Sequence, residues 1–417
     1  MQAGQNRPWL VLIPLLVLYV LCILVAHPLL GSYQGDEGRY LDFAHNLLNG
    51  YYSPQDRVDL WNGPGYPLLL APIAWSRHAL LMARLLNAFL LFAALVYLQR
   101  ALAKWMSARS RTLFTLLFGL YPPVLRYMPY ALTETLSVLL VCGLAYHSLA
   151  MFESNGRFSL VHAGIAAVFF AWLALTKVFF GVVLLALLVI STIVWLLIRG
   201  RALRVTAGML AVAFLLCIPY LTYTWRLTGR VLYWGTSGGA QLYWMTSPYD
   251  EESGDWFGSL ASTEGDNLTL RTHHQATYES IAGLPAHEAD RQLMSRALDN
   301  IRQHPGKYLK NWTANVGRML FNYPFSYTEQ KMSSFYYILP NSIFLTFGGL
   351  ALFLLVYRWR SVTAGPRFLL ALFTISLAGS SLVSAYGRMF TVISPLLYIL
   401  TLHALFRFLE VRLRRAE

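Results

Sequence analysis

Long apolar runs recur along almost the whole chain, near 9–27, 80–98, 112–128, 133–152, 159–175, 178–198, 205–222, 337–356, 367–383 and 390–406. A helix needs roughly 20 mostly apolar residues to cross the hydrocarbon core of a bilayer. The runs therefore predict about ten transmembrane helices. Composition agrees, with 56% hydrophobic and 13% charged residues, where a soluble domain carries about 25% charged residues. A soluble enzyme, a disordered chain and a secreted disulfide scaffold are excluded. The expected fold class is an all-α polytopic membrane protein. Cys22, Cys142 and Cys217 all fall inside apolar runs and read as small buried hydrophobes, with no disulfide or metal spacing.

The formal charge of +13 would suggest nucleic acid in a soluble protein, but its placement points to membrane topology. With the N-terminus inside, the inward segments hold Arg7; Arg100, Lys104, Arg109 and Arg111; Arg157; Arg199, Arg201 and Arg204; Arg358, Arg360 and Arg367; and Arg407, Arg412, Arg414 and Arg415. That is about half of the 33 Lys and Arg residues, opposed by only Glu153, Glu410 and Glu417. This positive-inside pattern predicts cytoplasmic termini and needs no nucleic-acid partner. No small-residue cleavage site follows the first run, which is expected to remain as span 1.

Two outward loops are long, at about 27–79 and 223–336, and nearly all acidic residues lie on that side. The chain thus divides into an N-terminal transmembrane module (1–222) that includes the first outward loop, a large outward loop subdomain (223–336) and a C-terminal transmembrane module (337–417). Within the first loop, Tyr40, Phe43, Ala44 and Leu47 fall at helical spacing, predicting an amphipathic interfacial helix over 36–48. Gly63-Pro64-Gly65-Tyr66-Pro67 then breaks the chain before a short apolar helix at 68–74. The second loop runs from an aromatic, Gly-rich stretch (233–245) through an acidic stretch (250–266), expected to be a solvated loop. Helical patterns follow at about 286–303 and 306–321, separated by His304-Pro305-Gly306.

Gly35-Asp36-Glu37 is the sharpest candidate for chemistry. Asp36 and Glu37 could simply cap a helix, or could hold a carboxylate at the membrane boundary as a general base. Arg126, Lys177 and Arg388 sit in short outward turns, and Arg84 lies near the outer end of span 2. Each could snorkel to the interface; together they suit a lipid phosphate. Glu134 either caps span 4 or joins the site, with Arg39 and Tyr40 nearby as surface partners or pocket residues. His273-His274, His287 and His304 are scattered, and neither they nor the acidic stretch show regular metal-ligand spacing.

These residues fall into a familiar order. Gly35-Asp36-Glu37 with Arg39-Tyr40 follows span 1, and Gly63-Pro64-Gly65-Tyr66-Pro67-Leu68-Leu69-Leu70 precedes span 2. Thr133-Glu134 opens span 4, His304-Pro305-Gly306-Lys307-Tyr308-Leu309 precedes a juxtamembrane helix, and Arg388 precedes Ser394-Pro395-Leu396. In this order the chain resembles the GT-C superfamily of polytopic glycosyltransferases, in the branch of protein O-mannosyltransferases and the lipid A aminoarabinose transferase. Met389 stands where Tyr is common in that family. The resemblance implies transfer of a monosaccharide from a polyprenyl-phosphate donor, such as undecaprenyl phosphate in a bacterial inner membrane, to a glycan, lipid or protein acceptor on the outer face. It also implies that Asp36, with Glu37 beside it, activates the acceptor and that the sugar configuration inverts. Lys177, Arg388, Arg126 and Arg84 are the candidates for the phosphate, and Arg39, Tyr40, Tyr66 and Glu134 for the acceptor pocket. A divalent cation is compatible with Asp36, Glu37 and Glu134 as oxygen ligands. The alternative is a lipid-linked sugar flippase or transporter, favoured by Pro122-Pro123, Pro219, Pro340 and Pro395 but lacking repeated halves and midplane charges.

Overall fold

The computed structural model describes residues 8–409 except Asn155 and Lys331. Arg7, Glu410, Arg412, Arg414, Arg415 and Glu417, used above for orientation, lie outside the described residues. The chain is helical, without a strand among the described residues. In chain order the helices are α1 (Ile13–Leu30), α2 (Glu37–Leu48), α3 (Gly65–Ala74), α4 (Ala79–Leu102), α5 (Ala108–Gly119), α6 (Pro122–Tyr127), α7 (Thr133–Glu153), α8 (Gly156–Thr176) and α9 (Phe179–Ile198). They continue as α10 (Arg201–Thr228), α11 (Gly238–Met245), α12 (Ser259–Thr263), α13 (Leu268–Ile281), α14 (Ala286–Gln303), α15 (Pro305–Phe321), α16 (Phe335–Tyr357), α17 (Ala364–Ser381) and α18 (Gly387–Phe408).

Eight helices among the described residues are long and apolar enough to cross a membrane: α1 with the turn before it, α4, α7, α8, α9, α10, α16 and α18. The other two expected spans differ for local reasons. The run at 112–128 is split into α5 and α6 at Tyr121, where Pro122 and Pro123 open a new helix and cannot continue the old one. The run at 367–383 forms α17, which at 18 residues is long enough but, with Pro366, Arg367 and a closing Gly379-Ser380-Ser381, is less apolar than the eight.

Burial sorts these helices. In α7 and α18 the apolar stretch is 83% and 78% buried, so these two form the centre of the bundle, whereas α1, α9 and α16 are 22% buried and turn most of their surface outward. Small residues allow the close packing: Gly143 of α7 admits the Phe169 ring of α8, and Gly365 of α17 admits Leu149. Cys142 and Cys217 are buried, as expected, but Cys22 sits on the outward face of α1 and is exposed.

The loops between spans are built much as their patterns predict. The expected helix at 36–48 is α2, whose buried face carries Tyr40, Leu41, Phe43 and Ala44. The short apolar piece is α3. The two helical patterns of the second loop are α14 and α15, hinged at His304. A separate small core, including Trp244, Leu270, Leu293 and Ala297, holds α11, α13 and α14 together.

Candidate active site

The first loop and the ends of α4, α7, α8 and α18 meet at one end of the bundle, and adjacent acidic residues there have opposite environments. Glu37 is fully buried. Its carboxylate accepts from Arg84 Nε at 2.9 Å and Nη2 at 2.7 Å, and from the backbone N–H groups of Gln34 and Ala131, both at 2.7 Å. Arg84 is equally buried, and its remaining donors face His27 Nδ1 at 3.0 Å and the Ser32 carbonyl at 3.3 Å. This pair ties the first loop to α4 and to the turn before α7. Every oxygen of Glu37 and every nitrogen of Arg84 is engaged. Arg84 is thus a fully engaged brace under the loop, with Glu37 as its partner.

Asp36 is different. It occupies the N-cap position of α2 without making a side-chain cap hydrogen bond. Its side chain is 23% exposed and is held only loosely, 3.4 Å from Arg39 Nη1 and 3.7 Å from Arg388 Nη1. Both contacts are longer than a well-formed hydrogen bond, so two cations hold the carboxylate by charge and no hydrogen bond fixes it.

Lys177, in the turn between α8 and α9, donates to Glu134 Oε1 at 2.9 Å. Glu134 is buried, and its second oxygen, Oε2, has no hydrogen-bond partner. Burial lowers the Lys177 ammonium below the usual lysine range, against the Glu134 carboxylate, which raises it; Arg388 lowers it further. Asp36, Glu134, Arg39, Lys177 and Arg388 thus form one group with three cations and two carboxylates. An excess positive charge in a partly desolvated setting suits an anion.

The loop's glycines account for this convergence. A Cβ at Gly63 would collide with the Leu175 carbonyl, and one at Gly65 with Thr176. The Gly63-Pro64-Gly65 turn therefore lies directly on the end of α8, next to Lys177, where Trp172 Nε1 donates to the Gly65 carbonyl at 2.9 Å. The motif's function is close approach of backbone to backbone.

The other expected site residues separate. Arg39 joins the group, donating to Asn62 Oδ1 at 3.2 Å and lying over Trp61. Tyr40 accepts from Asn62 Nδ2 at 3.0 Å, and burial followed by the Asp36 and Glu134 charges pushes its phenol up, so it stays neutral. Tyr66 is buried edge-on beneath Tyr40 and reaches Asn87, a packing position closed to an acceptor. Arg126 is exposed and lies over the Tyr337 ring at 5.5 Å. The three carboxylates considered for a divalent cation are divided among Arg84, Lys177 and the Arg39–Arg388 pair, and do not gather.

Asp36, Arg39 and Arg388 face a cavity of about 1310 Å³ between the first loop and the second. Its walls also carry Trp61, Asp59, Trp256 and Asp290. Sequence reasoning missed all four, together with Asn62. Trp256 is fixed by two hydrogen bonds with Tyr386, two residues before Arg388. Asn315 and Arg318 of α15 were also missed. Asn315 bonds the backbone of Ser381, Val383 and Ala385, while Arg318 donates to Ala385 and Pro324. Together they hold the strap that carries Arg388. Polar residues three apart on the face of a juxtamembrane helix were the available signal.

The acidic stretch is solvated at Asp250, Glu251, Glu264 and Asp266, as expected, but not throughout. Glu252 and Asp255 are 3% and 4% exposed. Glu252 brings together the adjacent histidines that looked scattered: its carboxylate lies 3.0 Å from His273 Nδ1 and 2.9 Å from His274 Nε2, and accepts from Ser247 at 2.5 Å and Tyr327 at 2.8 Å. The three ligand-type atoms lie within 4.8 Å of one another. Protein donors already fill both carboxylate oxygens, so the group pins the second loop as a hydrogen-bonded network. Burial raises the Glu252 carboxyl, but His274, Ser247 and His273 together outweigh it and hold it at about 2.

By sequence the chain matches no family profile and no curated protein. By structure it is similar to ArnT from Cupriavidus metallidurans bound to undecaprenyl phosphate, with 13% identity, a TM-score of 0.42, and coverage of 93% of this chain and 77% of that one. It is also similar to apo ArnT of that organism, at 12% identity and TM-score 0.41, covering 93% and 76%.

Proposed function

We propose that the protein is a GT-C-type glycosyltransferase that moves a monosaccharide from a polyprenyl-phosphate donor to a glycan, lipid or protein acceptor at the outer face of a bacterial inner membrane. The observation that carries this reading is the loosely held, partly exposed Asp36 carboxylate beside Arg388 and Lys177, at the edge of a cavity large enough for a saccharide. Donor headgroup and acceptor meet at this edge. Asp36 accepts the proton of the acceptor hydroxyl as its oxygen bonds the anomeric carbon. The bond from that carbon to the phosphate oxygen breaks, and the electron pair leaves with the phosphate. Arg388 and Lys177 stabilise the charge gathering there, with Glu134 keeping Lys177 in place. Attack opposite the leaving group inverts the anomeric configuration.

The outer location is supported by the positive-inside charge pattern, in which Arg100, Lys104, Arg201 and Arg407 flank the opposite ends of the spans. Arg39 and the Trp61–Trp256 wall contact the acceptor in this account, and Glu37 with Arg84 positions Asp36. The test is mass spectrometry of envelope glycans, glycolipids and glycoproteins from cells carrying wild type, a deletion, or Asp36→Asn at equal abundance. Loss of one sugar-sized increment in both deletion and variant supports the reading; restoration of that increment by Asp36→Asn overturns the assignment of the base.

A further inference from the structure

A second cavity, of about 530 Å³, lies at the opposite end of the bundle. Helix α18 carries Arg388 in its first turn and His403 and Arg407 near its last, which at 1.5 Å per residue separates the two sites by roughly 30 Å. The cavity's chemistry is unlike its surroundings. The N-termini of α10 and α17 both open into it through Arg201, Ala202, Thr363 and Ala364. Neither helix has a side-chain cap hydrogen bond at its N-cap residue, Gly200 or Thr363. The first N–H groups of a helix have no partner within it, and together with the helix dipole they favour an anion.

Independent observations point the same way. Arg201 and Arg407 line the cavity. His403 also lines it, is 5% exposed, and has no hydrogen-bond partner for either ring nitrogen. A buried imidazole in that condition calls for a polar ligand. The one carboxylate on the wall, Glu153, is paired with Lys104 at 2.5 Å and is largely offset. The rest of the wall includes apolar Leu149, Phe152 and Val205. A polar anion cradle joined to an apolar wall fits an amphiphile better than a free solute.

We propose that this cavity binds the phosphate headgroup of an anionic lipid in the leaflet opposite the candidate active site, with the acyl chains along the apolar wall. The proposal does not depend on the transferase reading. The test uses the purified full-length protein and native mass spectrometry, with phosphatidylglycerol, phosphatidylcholine and glycerol 3-phosphate as probes. Wild type is expected to retain one phosphatidylglycerol with about tenfold preference over phosphatidylcholine. Arg201→Gln/Arg407→Gln abolishes that preference, while Arg358→Gln/Arg360→Gln, which removes the same charge outside the cavity, preserves it. Equal loss in both variants means diffuse surface attraction and overturns the proposal. Binding of glycerol 3-phosphate with no lipid preference overturns it in favour of a soluble phosphate compound. A second measurement needs no substitution. Phosphatidylglycerol, but not phosphatidylcholine, should shield Arg201 and Arg407 of wild type from phenylglyoxal, read by peptide mass mapping; equal labelling contradicts the proposal.

Discussion

Replacing Glu37 by Gln removes a single charge and almost no volume, yet the environment of Glu37 predicts a large effect. The carboxylate takes four hydrogen bonds, two from Arg84 and two from backbone N–H groups, and both side chains are fully buried. The amide of Gln keeps one oxygen and turns an NH2 group toward donors that need an acceptor. Arg84 is then a buried cation without its counter-charge. Breaking a buried pair in this way costs about 3–5 kcal/mol, a substantial part of the roughly 5–15 kcal/mol that holds a typical domain folded. Asp36→Asn, one residue earlier, touches only two loose contacts at a partly exposed site and should change stability by less than about 0.5 kcal/mol. Thermal unfolding in detergent, followed by tryptophan fluorescence and by monodispersity after heating, compares the two directly. Glu37→Met/Arg84→Met removes both charges and should recover part of the loss, the remainder persisting because the Gln34 and Ala131 N–H groups lose their acceptor. A Glu37→Gln protein as stable as wild type but devoid of activity would refute the argument and return Glu37 to the chemistry.

Three other outcomes follow from the same structure. Gly63→Ala forces the first loop off the Leu175 carbonyl and is expected to lower transfer at least tenfold while most of the bundle stays folded, measured as turnover against thermal stability. Lys177→Met leaves Glu134 buried without its cation and should reduce yield; Lys177→Met/Glu134→Gln should restore folded protein but not activity, read by size-exclusion yield and sugar transfer. Glu252 titrates at about 2, below its ordinary 4.5, so its contribution is complete above pH 4.5 and is lost as pH falls toward 2. The difference corresponds to about 3 kcal/mol. Hydrogen exchange of 247–327 should therefore rise more steeply between pH 4.5 and 2 in wild type than in Glu252→Gln, and parallel curves would contradict the link.

Much of the architecture is legible in sequence because it depends on local pattern. Apolar length marks α4 and α9, helical spacing marks α2, and Pro305 after His304 marks the hinge between α14 and α15. The Pro122-Pro123 break was equally visible, yet hydropathy alone ran through it to a continuous span at 112–128. The candidate site was legible as a set of residue types at one end of the spans, but not as a set of pairs. Nothing near Glu37 in sequence indicates that its partner is Arg84, 47 positions away, because that pairing depends on how far α4 is rotated. The same limit hides Glu252, whose burial is created by His273 and His274 arriving from α13. A carboxylate in a polar stretch reads as solvated unless its partners are known. Arg84 shows the same limit from the other side: a cation near a span end reads as unpaired until its counter-ion, here Glu37, is located.

The central claim is that Asp36 is the base of a sugar transfer and that Glu37 is not. It is tested most directly by the rate of transfer from a polyprenyl-phosphate sugar in membranes holding equal amounts of folded wild type and Asp36→Asn. Loss of a general base predicts a fall of about 10²–10⁴-fold with unchanged thermal stability. Transfer by Asp36→Asn at the wild-type rate would contradict the account.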